Sequence, residues 1–393
     1  MTLIKKTGFL ILEFVLLILF YLVVLTVANS GIQKNAFENM QKAVEIIDEE
    51  GDYPKYFDDE AARLDNYTDR IMVQKCMIAD EKPFLSALSM NGYARYWHGY
   101  AAFLKPLFSI LELVQIRKLL SFLLFLTAAV TMVALYKKGG AVAAVSFALM
   151  WAEYYSQIVA GSFQYFWCYF ICCVATTIVC LLKEEKKGLL FYFFFAIGSF
   201  VNFVDLLTFP LITLTIPLLA TFFDEHKKGV IKRGFLYTFL WGAGYALTWI
   251  AKWVLCRIFL GEGIIPDVSN AISYRMTGDE INPINRILVI RANLQHPYLL
   301  HRIPLLFAVL FLSFILFLIF AKVEKMKKMR YMLGMFPVFL FPFIWYEILC
   351  NHSLMHHFFT YRALMGTSFG LYFILLSLWK GIYEALSRKK EKR

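Results

Sequence analysis

Along the chain, apolar blocks of about 16 to 22 residues alternate with short charged stretches, the spacing expected of helices crossing a bilayer core about 30 Å thick. The blocks begin with Phe9 to Ala28 and continue through Leu119–Tyr136, Val142–Ile158, Phe163–Leu182, Gly188–Phe223, Phe235–Leu255, Ile303–Ala321, Tyr331–Leu349 and Ala363–Ile382. Barrel strands would alternate apolar and polar residues in segments of about ten, and that alternation is absent. The block from Gly188 to Phe223 is too long for one span, yet both its flanks are charged in the manner of one membrane side. It therefore predicts a hairpin of two short helices, broken between Asn202 and Pro210 with Asp205 at or just below the outer turn. The pattern gives an all-α, polytopic transmembrane helix bundle of about ten spans, with residues 1–393 forming a single integral membrane domain.

Two polar stretches are too long to be simple turns. Outer loop 1, about 30–117, is acidic as far as residue 80 and then turns amphipathic from Pro83 to Ile116, interrupted by Gly92, Gly99 and Pro106. That mixture predicts interfacial or re-entrant helices. Outer loop 4, about 256–302, carries charges of both signs. The run Tyr93-Ala94-Arg95-Tyr96-Trp97-His98-Gly99-Tyr100 packs an arginine, an imidazole and four aromatic rings into eight residues, a composition suited to the headgroup level of a membrane.

Charge orients this layout. The net charge is +11, but the excess sits in short loops: Lys5-Lys6, Lys137-Lys138, Lys183 to Lys187, Lys227 to Arg233, Lys322 to Arg330 and Arg388 to Arg393. Such clusters mark cytoplasmic loops. The basic excess thus argues for topology and against a nucleic-acid partner. It places the protein in the plasma (cytoplasmic) membrane with both termini cytoplasmic. The first block is longer than the apolar core of a secretory signal and lacks a small-x-small cleavage site, so it reads as a retained span.

The same topology sends a scattered set of ionisable residues to the outer side. Asp65 and Asp69, four apart, share a helix face and are the acid/base candidates; a solvated acidic loop, a helix cap or pairing with Arg63 and Arg70 are the plainer readings. Arg95 and His98 suit capture of a phosphate, with Tyr96, Trp97 and Tyr100 as sugar or lipid platforms; an aromatic belt with a snorkelling arginine is the alternative. Asp205 needs a partner between two apolar half-spans, and Lys252 or an arginine supplies one. Arg275, His352, His356 and Arg362 complete the substrate-binding set, the guanidinium of Arg362 matching phosphate oxygens. His352 and His356 at i and i+4 would hold a divalent metal if a third ligand came from another loop. Few ionisable residues fall mid-span; Glu153 and Glu347 are two.

Of the seven cysteines, Cys168, Cys172, Cys173 and Cys180 lie in one apolar block and read as packing residues. Cys76, Cys256 and Cys350 fall in or near the outer loops, where a Cys256–Cys350 bridge is conceivable but an odd count sets no framework. There is no Walker loop, dinucleotide fingerprint or Gly-x-Ser-x-Gly elbow, so no nucleotide-driven mechanism is indicated.

One retained first span, a large outer loop with the Asp65-Asn66-Tyr67-Thr68-Asp69 segment and the Tyr93–Tyr100 run, then many spans: this layout resembles the C-type superfamily of membrane glycosyltransferases. The resemblance implies transfer of a sugar from a polyprenyl-phosphate donor on the outer face, with Asp65 or Asp69 as base. It further implies that Arg362, Lys252 or Arg95 neutralises the departing lipid phosphate. The chain departs from the family pattern directly after the first span, where Ala28-Asn29-Ser30-Gly31 stands in place of paired acids. Two rivals remain open at this level, a transporter or flippase for a lipid-linked or small molecule, and a non-catalytic cell-envelope assembly protein.

Overall fold

A computed structural model describes residues 3–223, 230–261, 263–278, 284–320 and 334–390. They are helical almost throughout; the sole β feature among them is an isolated bridge between Lys55 and Arg63. The long elements are α1 (Leu3–Asn29), α6 (Leu113–Glu153), α7 (Phe163–Leu181), α8 (Leu190–Val204), α10 (Val230–Leu260) and α18 (Met365–Lys390). The segment expected to form outer loop 1 folds into α2 (Lys34–Glu50), α3 (Asn66–Cys76), α4 (Pro83–Ser89) and α5 (Ala101–Phe108). The remaining elements are α9 (Ile212–Thr221), α11 (Ile264–Thr277), α12 (Arg286–Leu294), α13 (Tyr298–His301), α14 (Ile303–Phe320), α15 (Gly334–Ile348), α16 (Cys350–Met355) and α17 (His357–Thr360).

Among the described residues six helices are long and apolar enough to cross a membrane, against the ten spans expected. Three shorter apolar helices, Ile212–Thr221, Ala308–Phe320 and Gly334–Ile348, accompany them. Part of the difference lies in α6, where the two expected spans join into 41 helical residues with a break at Gly140, whose φ of 72° and ψ of −170° are not helical. A straight rod of that length would separate its ends by roughly 60 Å. Yet Arg117 near its start pairs with Glu50 at 2.6 Å, and Tyr155 just past its end donates to Asp59 at 2.6 Å. Glu50 and Asp59 lie at most about 32 Å apart along the chain. The helix therefore folds back at Gly140, beside Lys137-Lys138, because only glycine takes that positive-φ conformation without strain.

The expected break in the long apolar block is also present: α8 ends at Val204, a buried loop follows, and α9 starts at Ile212. Helix α8 packs most extensively on α10. A Cβ at Gly198 would stand 2.0 Å from the Trp241 carbonyl and one at Gly244 2.1 Å from that of Phe195, so the two backbones touch with no side chain between them. One continuous core runs from Tyr21 to Phe373 through the long helices and the outer-loop helices alike. Exposed apolar side chains cover the outside of the bundle, on α1, α6, α10 and α14, as a lipid-facing surface requires.

The bundle has two unlike poles. One gathers the basic turns, with Lys6, Lys187 and Arg233 around a single cavity. The other carries α2 to α5, the turn after α6, the α8–α9 loop, α11, α12 and the segment 349–364. Glu153 and Glu347 belong to this second pole rather than to mid-span positions: Glu153 closes α6, and Glu347 pairs with Arg286 at 2.6 Å.

Candidate functional site

Five of the candidate ionisable residues serve as internal fasteners. Asp65 caps α3, its Oδ1 accepting from the Thr68 amide at 3.0 Å and its Oδ2 from the Thr68 hydroxyl at 2.9 Å. Asp69 reaches across to α7, where its carboxylate accepts from the Ser162 hydroxyl at 3.0 Å and from the Phe163 and Gln164 amides at 2.9 Å each. A carboxylate there satisfies orphan amides and complements the positive end of the helix dipole. Burial pushes the carboxyl of Asp65 up to about 6 and that of Asp69 up to about 7, against the opposing pull of these bonds.

Lys252 does the converse at a C-terminus. It is fully buried and donates to the carbonyls of Ala87 at 3.0 Å and Leu88 at 2.8 Å, in the last turns of α4, with its ammonium over the Trp97 ring. Arg362, also fully buried, donates to the carbonyls of Phe358 and Ala61 at 3.2 and 3.1 Å and lies between the rings of Tyr165 and Tyr361. Asp205 ties the α8–α9 loop, accepting from the Thr208 amide at 3.0 Å, the Thr208 hydroxyl and the Cys168 thiol. Its partners are thus a threonine and a thiol, not the lysine or arginine that the sequence suggested.

The Tyr93–Tyr100 run is buried beside that loop. The Gly99 amide donates to the Phe203 carbonyl at 2.8 Å, and the Trp97 indole donates to the Thr248 carbonyl at 2.8 Å. Nε2 of His98 lies 2.8 Å from the Tyr93 carbonyl and Nδ1 lies 2.8 Å from the Tyr100 hydroxyl. Since a carbonyl only accepts, Nε2 carries the proton and Nδ1 accepts from Tyr100. Burial lowers this imidazole to about 3, so it stays neutral. His98 and Trp97 are core residues here, not platforms.

Four of the expected binding residues do meet. Arg95, Arg275, His352 and His356 line one open cavity of about 410 Å³, together with Asp267, Asn270, Tyr274 and Asn351. Arg95 pairs with Asp267 at 2.8 Å and sits 4.9 Å over the Tyr93 ring. Arg275 lies 5.4 Å over the ring of Tyr96, whose hydroxyl is buried with no hydrogen-bond partner among the described residues. His352 donates through Nε2 to the Leu207 carbonyl at 2.8 Å, fixing its tautomer and linking the cavity wall to the Asp205 loop. Its ring lies 4.9 Å from that of His356. Burial, with Arg275 nearby, holds His352 well below its usual value and His356 at about 4. Both imidazoles are therefore uncharged at neutral pH, and the two guanidinium groups supply the positive charge.

Asp65, Asp69, Asp205, Lys252 and Arg362 do not line this cavity. Among the described residues no group of three metal-ligating side chains forms, so the histidine pair lacks the third ligand a divalent ion would need. Cys76, Cys256 and Cys350 are all free thiols, which removes the Cys256–Cys350 bridge. Sequence reading passed over Asp267, Asn270 and Tyr274 as site residues. Their signal is legible: at i, i+3 and i+7 they share one face of α11, with Arg275 alongside. Comparison with protein-family models, curated proteins and solved structures finds no match.

Proposed function

We propose that this chain is a membrane glycosyltransferase that moves a sugar from a polyprenyl-phosphate donor to an acceptor hydroxyl on the outer face of the membrane. The observation that supports it is the cavity of Arg95, Arg275, His352 and His356 at the pole away from the basic turns. Guanidinium forks match phosphate oxygens, and the amides of Asn270 and Asn351 suit sugar hydroxyls. In this reading the bundle crosses the membrane about ten times, with the α6 fold-back and the α8–α9 hairpin each counting as two passes and both termini cytoplasmic. Helices α2 to α5 then form the interfacial layer of the outer loop.

The acceptor oxygen attacks the anomeric carbon as the bond from that carbon to the phosphate oxygen breaks, its electron pair leaving with the lipid phosphate. Arg95 and Arg275 neutralise the charge that develops there. The proton of the acceptor hydroxyl goes to a carboxylate, and Asp267 is the carboxylate of the cavity wall. Asp65 and Asp69, engaged as caps, leave that duty to it.

A transport path would have to continue to the other pole. Against it, the cavities at the two poles share no lining residue, and on α10 between them Trp241 stacks on Tyr245 at 5.3 Å while Tyr245 meets Trp249 edge to face at 5.5 Å. The test is release of lipid phosphate from polyprenyl-phosphate sugars by the purified protein. Asp267→Asn is expected to lower turnover by a factor of about 10² to 10⁴. Solute flux through vesicles without donor consumption would replace this reading with a transporter.

A further inference from the structure

We propose that the loop between α2 and α3, joined by the turn after α6, is a carbohydrate-binding platform whose floor is the stacked pair Phe57 and Tyr155. None of its residues lines the cavity of Arg95 and Arg275. The loop closes on itself: the Tyr56 amide donates to the Ala62 carbonyl at 3.1 Å, the Leu64 amide to that of Pro54 at 3.0 Å and the Tyr67 amide to that of Asp52 at 3.1 Å. At its tip Phe57 and Asp58 have φ of 57° and 53°, and Tyr155, against Phe57, has φ of 49°. Left-handed backbone at a bulky side chain is costly. Burial does not offset the cost, because Phe57 stays 71% exposed. What the strained tip secures is a pair of rings 6.1 Å apart and within 23° of parallel. The Tyr155 ring is held at its far end, where the hydroxyl donates to Asp59 at 2.6 Å and Asp59 in turn accepts from the Ala61 amide at 2.9 Å. Strain that keeps a fixed aromatic ring in the open marks a surface that binds.

The side chains around the rings select the ligand. The cations here already meet carboxylates: Lys55 and Arg63 pair with Glu60, and Arg70 of α3 pairs with Asp48 and Asp52. Those pairings disfavour a phosphate. Asp48, Glu49, Asp52 and Asp58 are exposed along the same stretch, which would repel the anionic headgroups of a membrane surface. A sugar ring fits both features, because its C–H face stacks on an aromatic ring as apolar surface while the hydroxyls at its edge donate to carboxylates. Phe57 offers the ring face, and its chain neighbours Tyr56 and Asp58, both exposed, offer a hydroxyl and a carboxylate. A second stacked pair, Tyr53 and Tyr67 at 6.5 Å and 24°, belongs to the same loop and the first turn of α3, with both rings partly open to solvent. Two ring pairs on one loop suit a chain of sugars better than a single one. The ligand class is therefore a neutral oligosaccharide. Its binding here needs no transfer reaction in the cavity.

The experiment uses the full chain in a detergent without a sugar headgroup and reads saturation transfer from protein aromatic protons to chitotetraose, cellotetraose and maltotetraose. Transfer to the ring C–H protons of at least one of the three is expected. Phe57→Ala should weaken that binding by about five- to tenfold, whereas Phe57→Trp should retain it. Both should unfold within about 2 °C of the wild type, since the side chain is exposed. Should Phe57→Ala fail to fold, Asp58→Asn is measured instead, with a loss of about threefold expected from the weaker acceptor. Arg275→Gln, in the cavity, should bind the sugar as the wild type does. No transfer to any of the three sugars, or undiminished transfer in Phe57→Ala, would overturn the platform. Loss in Arg275→Gln with retention in Phe57→Ala would assign the sugar to the cavity instead. Sugar binding by a wild type that consumes no lipid-linked donor would leave the platform standing while the transferase reading failed.

Discussion

Asp69 and Asp267 are both carboxylates within the same pole of the bundle, and their surroundings separate them. Asp69 is 1% exposed and accepts three hydrogen bonds, all from the start of α7. Asp267 meets Arg95 at the rim of an open cavity, with its side chain 44% exposed. The same contrast runs through the cations. Lys252 and Arg362 are turned inward onto backbone carbonyls, while Arg95 and Arg275 face the cavity. A buried charge in a membrane protein is therefore ambiguous between fastening and recognition, and what decides is whether its hydrogen-bonding capacity is already used.

The largest effect that would break this contrast concerns Asp69. Asp69→Ala leaves two amides and a hydroxyl buried without an acceptor at about 1 to 3 kcal/mol each, so thermal unfolding in detergent should show a loss on the order of 3 to 5 kcal/mol. Donor affinity in whatever protein remains folded should be normal. A stable but inactive Asp69→Ala would place the chemistry back on the outer-loop acids.

Arg275→Gln probes the other side of the comparison. Loss of one guanidinium from the cavity should weaken donor binding by about tenfold or more, read as a raised KM, with stability changed by no more than about 0.5 kcal/mol. A large loss of stability with unaltered KM would make Arg275 a fastener like Arg362.

The smallest effect is the pH dependence. His98 at about 3 and His356 at about 4 take up protons less readily folded than unfolded. Their contribution is fully present above the unfolded value near 6.5 and is lost as pH falls toward 4. Asp65 and Asp69 act oppositely: their raised values mean the folded state gains stability as pH falls from about 7 toward 4. Asp69→Asn removes part of that opposing contribution. Its stability should therefore fall more steeply than the wild type between pH 7 and 4, which denaturation midpoints across that range will check.

Apolar block length, basic turns and the over-long Gly188–Phe223 stretch determined an all-helical, membrane-suited bundle and even the loop at Asp205, because these features depend on local composition and on lengths matched to a bilayer. The spacing of Asp267, Asn270 and Tyr274 on α11 was equally local and readable. Which of the many outer charges would be consumed was not. The donor that meets Asp69 lies 93 positions along the chain, and the carbonyl that meets Lys252 lies 164 positions back. Only the packing of α3 against α7 and of α10 against α4 brings them within hydrogen-bond reach. The cap that Asp65 places on Thr68 is local; tertiary structure alone turned Asp69, Lys252 and Arg362 into fasteners and left Arg95, Arg275, His352 and His356 around a cavity, since burial and partner geometry, not residue type, set whether a charge has bonding capacity left for a ligand.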